Sequence, residues 1–254
     1  MKVIDIKLDK DKLLQLPELE RTLYLALGHA ANENNALAKM LYWSSNAPAR
    51  NEAEDRGRFT LQLLFMRLLA GKLNESWGLL NQKYFGTGLS RTYDPKIDDE
   101  ARQSFKSLKS YFGRENACYK IRNQFAFHYS PEEVTAVLPS INDELHAYLE
   151  RDAAPNNLFA FSEALLAEAL VALLRQLRAN ASLEDLVGEL FEVAVWFAQV
   201  ADALMFTISD ANSIDLRLDQ PVVVVFESLP DLRSVALSWF TDTSSALKSQ
   251  SDAV

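Results

Sequence analysis

Arg58-Phe59-Thr60-Leu61-Gln62-Leu63-Leu64-Phe65-Met66-Arg67-Leu68-Leu69 is the stretch that decides the fold. Its apolar residues point nearly all round a helix instead of along one stripe. A helix of that kind belongs in the middle of a bundle. The helical pattern runs from Arg58 to about Asn81, with Gly71 as a weak point inside it.

The segments on either side read as its partners. Upstream, Pro17-Glu18 opens a long helix to about Trp43, with a stripe of Leu23, Leu27, Ala30, Ala31, Leu37 and Leu41. Its opposite face carries His29, Asn32, Glu33 and Asn35. Asp9-Lys10-Asp11-Lys12 reads as a charged turn, and residues 49–57 as a solvated loop or a loose turn of helix. Downstream, Gly86 to Pro95 is the clearest loop. Asp98-Asp99-Glu100 then starts a helix with acids in its first turn, as the helix dipole favours, and Ala101, Phe105, Leu108 and Phe112 form its buried side. Gly113 breaks it. A further helix from Glu115 to Tyr129 has the stripe Ala117, Ile121 and Phe125. Two short helices are expected at about 131–138 and 141–150. Beyond the boundary at Asp152–Asn157 come helices at about 162–179 and 183–208, joined by a short turn as an antiparallel pair.

These readings give an all-α fold, a helical bundle over residues 1–151. A C-terminal helical hairpin and tail, 152–254, pack on it. Val222–Phe226 has strand propensity and can pair with residues 2–8. The tail from about Thr241 is polar and reads as frayed.

Composition narrows the class. Among 254 residues 48% are hydrophobic and only eight are glycine, which favours helices over turns. The single cysteine, Cys118, leaves no internal disulfide and fits a reducing compartment. Met1 to Leu8 alternates charge and aliphatic residues, unlike a secretion signal, and no window reads as long and apolar enough to span a bilayer. The expectation is a cytoplasmic protein with no membrane association. There is no zinc-ligand spacing, nucleophile elbow or dinucleotide fingerprint, so no cofactor or metal is expected.

The net charge of −9 argues against a general nucleic-acid coat. The charge is uneven, however. Lys83 to Arg122 holds nine basic residues against five acids, whereas Arg151 onward holds six against fifteen. The basic segment suits a local phosphate-binding groove, with Lys106, Lys109, Arg114 and Lys120 as candidate RNA contacts. A solvated helix face explains the same residues equally well.

That segment leads into Cys118-Tyr119-Lys120-Ile121-Arg122-Asn123-Gln124-Phe125-Ala126-Phe127-His128-Tyr129. Ser130-Pro131-Glu132-Glu133 reads as a fresh helix start, so the preceding helix should stop near Tyr129, with His128 in its last turn. An imidazole is a general acid or base near neutral pH. A guanidinium is a planar fork suited to phosphate oxygens. Together they suffice for cleavage of RNA, whose own 2′-hydroxyl is the nucleophile.

Arg122-Asn123, four residues, then His128 resembles the signature of the HEPN superfamily. His29 and His146 have no arginine at the required spacing. The resemblance covers the helices from about 97 to 150. It implies a compact all-α domain, a metal-independent endoribonuclease, and a homodimer in which two signatures face one cleft. It also implies a toxin, abortive-infection or antiphage setting with an antitoxin or regulatory protein as partner. In that reading Arg122 holds the scissile phosphate, His128 is the acid/base, Asn123 orients the site and Tyr129 contacts phosphate or base. A tyrosine two positions after the histidine, present in some members, is Ser130 here. The alternative is a non-catalytic module that docks a protein or senses a nucleotide. There Arg122 pairs with a surface carboxylate and His128 caps its helix.

Overall fold

The computed structural model describes residues 2–5, 8–46, 50–141, 144–151, 154–214, 222–225, 235 and 237–241. The polar tail beyond Thr241 lies outside them. The architecture is an all-α bundle whose order is α1 (Lys10–Gln15), α2 (Glu18–Asn46), α3 (Glu52–Leu80), α4 (Leu89–Tyr93), α5 (Asp99–Phe112), α6 (Ala117–Ile121), α7 (Pro131–Ala136), α8 (Ala160–Leu177) and α9 (Leu183–Ala211). Strands β1 (Lys2–Asp5) and β2 (Val222–Val225) pair antiparallel, Lys2 opposite Val225 and Asp5 opposite Val222, and so tie the two ends of the chain together.

One core runs through the bundle. Leu23, Leu27 and Leu41 of α2 meet Leu63, Met66, Leu69 and Leu73 of α3 in a single buried cluster with Leu186, Leu190, Val193, Phe197, Val200, Leu204 and Ile208 of α9. Each fully buried side chain of this kind contributes about 1.5–3 kcal/mol. The α9 stripe alone is therefore worth on the order of 10–20 kcal/mol before chain entropy is charged against it. Helix α3 packs against α2, α6, α8 and α9, the central place its apolar content calls for. Helix α9 packs chiefly on α5 and α2, and α8 chiefly on α7 and α3, with few contacts between α8 and α9. The C-terminal helices thus share the bundle's core.

Several local expectations are corrected. The charged turn at 9–12 opens α1, because the Asp9 carboxylate accepts from the Asp11 N–H. Helix α3 begins at Glu52, earlier than the expected start at Arg58 and continuous with the helical turn allowed within 49–57, and it is capped by the Asn51 side chain, which accepts from the Glu54 N–H. The loop from Gly86 to Pro95 contains α4, and Tyr93 at its end is buried. No second short helix forms over 144–150. Leu145 and Leu149 are exposed, so a helix there has no face to bury, and the backbone instead pairs across the chain, Tyr148 with Leu158. Finally, α9 is long and apolar enough, by length and composition alone, to cross a membrane, contrary to the expectation that no such stretch exists.

Candidate functional site

The helix that carries the Arg/His pattern starts at Asn116, whose buried side chain accepts from the Tyr119 N–H at 2.9 Å. Ala117, Cys118, Ile121 and Phe125 anchor it in the core. At Arg122 the α-helix widens into a π turn, Arg122–Ala126, and it ends at Phe127. Single π turns of this kind are frequent at functional sites.

His128 and Tyr129 therefore lie beyond the helix, not in its last turn. The reason is tertiary. Ser130 Oγ donates to the Gln124 carbonyl, and Arg67 Nη1 donates to the Phe125 carbonyl at 3.3 Å. Two of the orphan carbonyls at the helix end are thus satisfied by side chains, which replaces the cap expected from His128. Ser130 adopts a left-handed conformation, φ 42° and ψ 59°, and makes no side-chain cap for α7. A non-glycine residue held there costs about 1–3 kcal/mol, offset in part by its bond to Gln124.

The segment lies along one face of α3. Arg67, Gly71 and Glu75 are spaced four apart and share that face. Glu75 Oε1 accepts from Arg122 Nε at 2.8 Å. Gly71 leaves room for Ala126 and Phe127, since a Cβ there would lie 3.0 Å from atoms of both. Arg67 holds Phe125. This cradle was not read from the sequence. Its signal was a glycine inside a long helix flanked at four residues by opposite charges, because an isolated helical glycine often marks a close approach.

The four candidate catalytic residues remain accessible. The Arg122 side chain is 41% exposed and that of Glu75 52%. Arg122 Nη1 donates to Asn123 Oδ1 at 3.0 Å, while Nη2 has no hydrogen bond among the described residues. His128 is exposed and makes no hydrogen bond or ion pair among the described residues. Tyr129 is 93% exposed, and Phe127 beside it is half exposed.

The candidate RNA-contacting residues do not form one groove. Lys106 and Arg114 line a shallow depression with Ser110 and Trp196, between α5 and α9. Lys109 Nζ sits 4.2 Å over the Phe85 ring. Lys120 pairs with Glu115 at 3.3 Å. Arg114 also borders a larger cleft of about 810 Å³ between the α5–α6 turn and α9. Glu184, Glu189 and Glu192 line that cleft too, which makes it a poor place for phosphate.

Cys118 is fully buried behind the site. The Tyr111 hydroxyl donates to Glu189 Oε1, accepts from the Cys118 N–H at 3.4 Å, and lies 3.5 Å from Sγ. Burial pushes the thiol up to about 12, which suits packing and not nucleophilic attack. Burial likewise raises the Tyr111 phenol well above its usual range. Among the described residues no three His, Cys, Asp or Glu side chains are grouped to hold a metal ion. Comparison with protein-family models, with curated proteins and with solved structures gives no match to this chain.

Proposed function

We propose that this chain is a metal-independent endoribonuclease that uses Arg122 and His128. The observation that carries the reading is the joint exposure of Arg122, Asn123, His128 and Tyr129 at one helix end braced on α3. Glu75 and Asn123 fix two nitrogens of the Arg122 guanidinium, which leaves Nη2 free, among the described residues, for a phosphate oxygen and for the charge that develops there.

The chemistry needs a base and an acid. A base takes the proton of the RNA 2′-hydroxyl as its oxygen attacks the adjacent phosphorus. An acid protonates the departing 5′-oxygen. The products are a 2′,3′-cyclic phosphate and a 5′-hydroxyl, with no redox change. His128 fills one of these roles in each chain, and a second copy of the chain supplies the other, so the active form is a homodimer. The toxin or antiphage setting, the cytoplasmic location and an antitoxin or regulatory partner rest on the HEPN resemblance.

The Arg122–Glu75 ion pair favours the second reading, a non-catalytic binding module in which that pair is structural. The two readings separate in one experiment, incubation of the full chain with a mixed RNA pool in EDTA. The nuclease reading expects cutting by the wild type and none by Arg122→Ala or His128→Ala, with both variants folded by circular dichroism. Equal cutting by all three overturns the assignment of these residues. No cutting by any leaves the binding module as the account.

A further inference from the structure

We infer that Arg67 is the positioning residue that sets where His128 stands relative to Arg122; the inference rests on the nuclease reading. Arg122 is fixed by its helix and by Glu75. His128 has no hydrogen bond or ion pair of its own among the described residues, being exposed on a non-helical exit. Its position must therefore come from whatever holds the helix end just before it. Three contacts do so: Gly71 against Ala126 and Phe127, Ser130 Oγ on the Gln124 carbonyl, and Arg67 on the Phe125 carbonyl.

Of these, only Arg67 reaches across from another element with a charged hydrogen bond. It is itself braced, with Nε donating to the Leu63 carbonyl one turn back at 3.3 Å. Its side chain is half-buried. Burial lowers its proton affinity, and the negative charge of Glu163 on α8 opposes that shift. Glu163 is half-buried, its carboxyl raised by burial and lowered by Arg67, and its Oε2 is sealed from solvent without a hydrogen-bond partner among the described residues. A charge partly removed from water, beside a carboxylate that is itself incompletely satisfied, costs stability. A leucine or methionine would pack the same place at lower cost. What only an arginine supplies there is a rigid donor to the Phe125 carbonyl.

The test compares Arg67→Met and Arg67→Lys in the full chain. Two readouts are used: cleavage of an RNA oligonucleotide in EDTA, with kcat and KM separated, and amide hydrogen exchange over the π turn, residues 122–126. The expectation for Arg67→Met is a kcat lower by about tenfold to a hundredfold, as misplacement of about 1 Å produces. KM stays within about twofold, since a group that does not touch substrate leaves binding unchanged. Exchange at 122–126 becomes faster, while the α9 amides stay protected. Arg67→Lys, which keeps a donor, recovers part of kcat. An unchanged kcat in Arg67→Met, with an active wild type, overturns the inference. If the wild type does not cut RNA, the nuclease reading fails by itself. Exchange then decides the positioning: unchanged protection at 122–126 in Arg67→Met overturns it, and faster exchange confined to that segment sustains it. If Arg67→Met fails to fold, Arg67→Lys carries the same two readouts.

Discussion

Substitution of Gly71 by alanine separates a close approach from an ordinary helical glycine. In an unobstructed helix interior, Gly→Ala stabilises by about 0.5–1 kcal/mol, because glycine loses more backbone freedom on folding. At Gly71 the added methyl would lie 3.0 Å from Ala126 Cβ and 3.0 Å from Phe127 Cε2. Carbon atoms pack comfortably at about 3.5–4.0 Å, so both neighbours must retreat by about half an ångström. The half-exposed Phe127 ring can swing aside. Ala126 Cβ cannot, because it moves only with its backbone, which Arg67 and Ser130 hold through the neighbouring carbonyls. Overpacking of this type costs about 1–3 kcal/mol. Set against the helix gain, the net change should be a loss of about 0–2 kcal/mol, or a melting temperature several degrees lower at the upper end. Gly78 is the internal control. It lies on the same helix, and a Cβ added there would meet nothing within 4 Å among the described residues, so Gly78→Ala should raise stability by about 0.5–1 kcal/mol. The assay is urea denaturation followed by tryptophan fluorescence. If Gly71→Ala stabilises as much as Gly78→Ala, the motif segment does not press on α3, and the cradle described above is wrong.

Glu75→Gln should alter stability by less than about 1 kcal/mol, because the pair it breaks is half exposed; in an RNA cleavage assay it should nevertheless lower the rate, since the guanidinium loses its brace. Cys118 should resist iodoacetamide in the native protein at neutral pH and react in denaturant, as its buried thiol is raised to about 12; mass spectrometry of the intact chain reads this directly. Tyr111→Phe should cost about 1–2 kcal/mol in denaturant titration, since the Cys118 N–H and Glu189 lose a shared partner. The Ser182 side chain and backbone hold the Asp185 carboxyl below its usual range. A depressed folded-state value gives stability that is present above the unfolded-state value and lost as pH falls through the folded one. The melting-temperature gap between wild type and Ser182→Ala should therefore narrow as the solution is acidified from neutral pH.

How much was legible depended on where each element's energy lies. Helices α2, α5, α8 and α9 announce themselves by stripes such as Leu166–Leu170–Leu173 and Leu186–Leu190–Val193, because their own buried faces stabilise them. Arg122 was legible as the residue at the edge of such a stripe. The stretch at 141–150 misled because Ile141, Leu145 and Leu149 sit at helical spacing, yet Leu145 and Leu149 stay exposed, with no buried face to form. The helix end at His128 misled for a different reason. The proline at 131 sets the latest point at which the helix can stop, whereas the actual stop is made earlier by Arg67 and Ser130 taking its carbonyls. Arg67 and Glu75 were invisible as site residues, because a charge on a helix carries no mark of which partner it will meet.

Cleavage of RNA by Arg122 and His128 through the substrate's own 2′-hydroxyl is the central claim. The most direct measurement is mass spectrometry of an RNA oligonucleotide after incubation with the full chain in EDTA, beside the same oligonucleotide carrying a 2′-deoxy sugar at the cut position. The expected result is fragments ending in a 2′,3′-cyclic phosphate and a 5′-hydroxyl with the wild type, none with His128→Ala, and none at the deoxy position. Fragments of the same kind from His128→Ala, or cutting at the deoxy position, would contradict it.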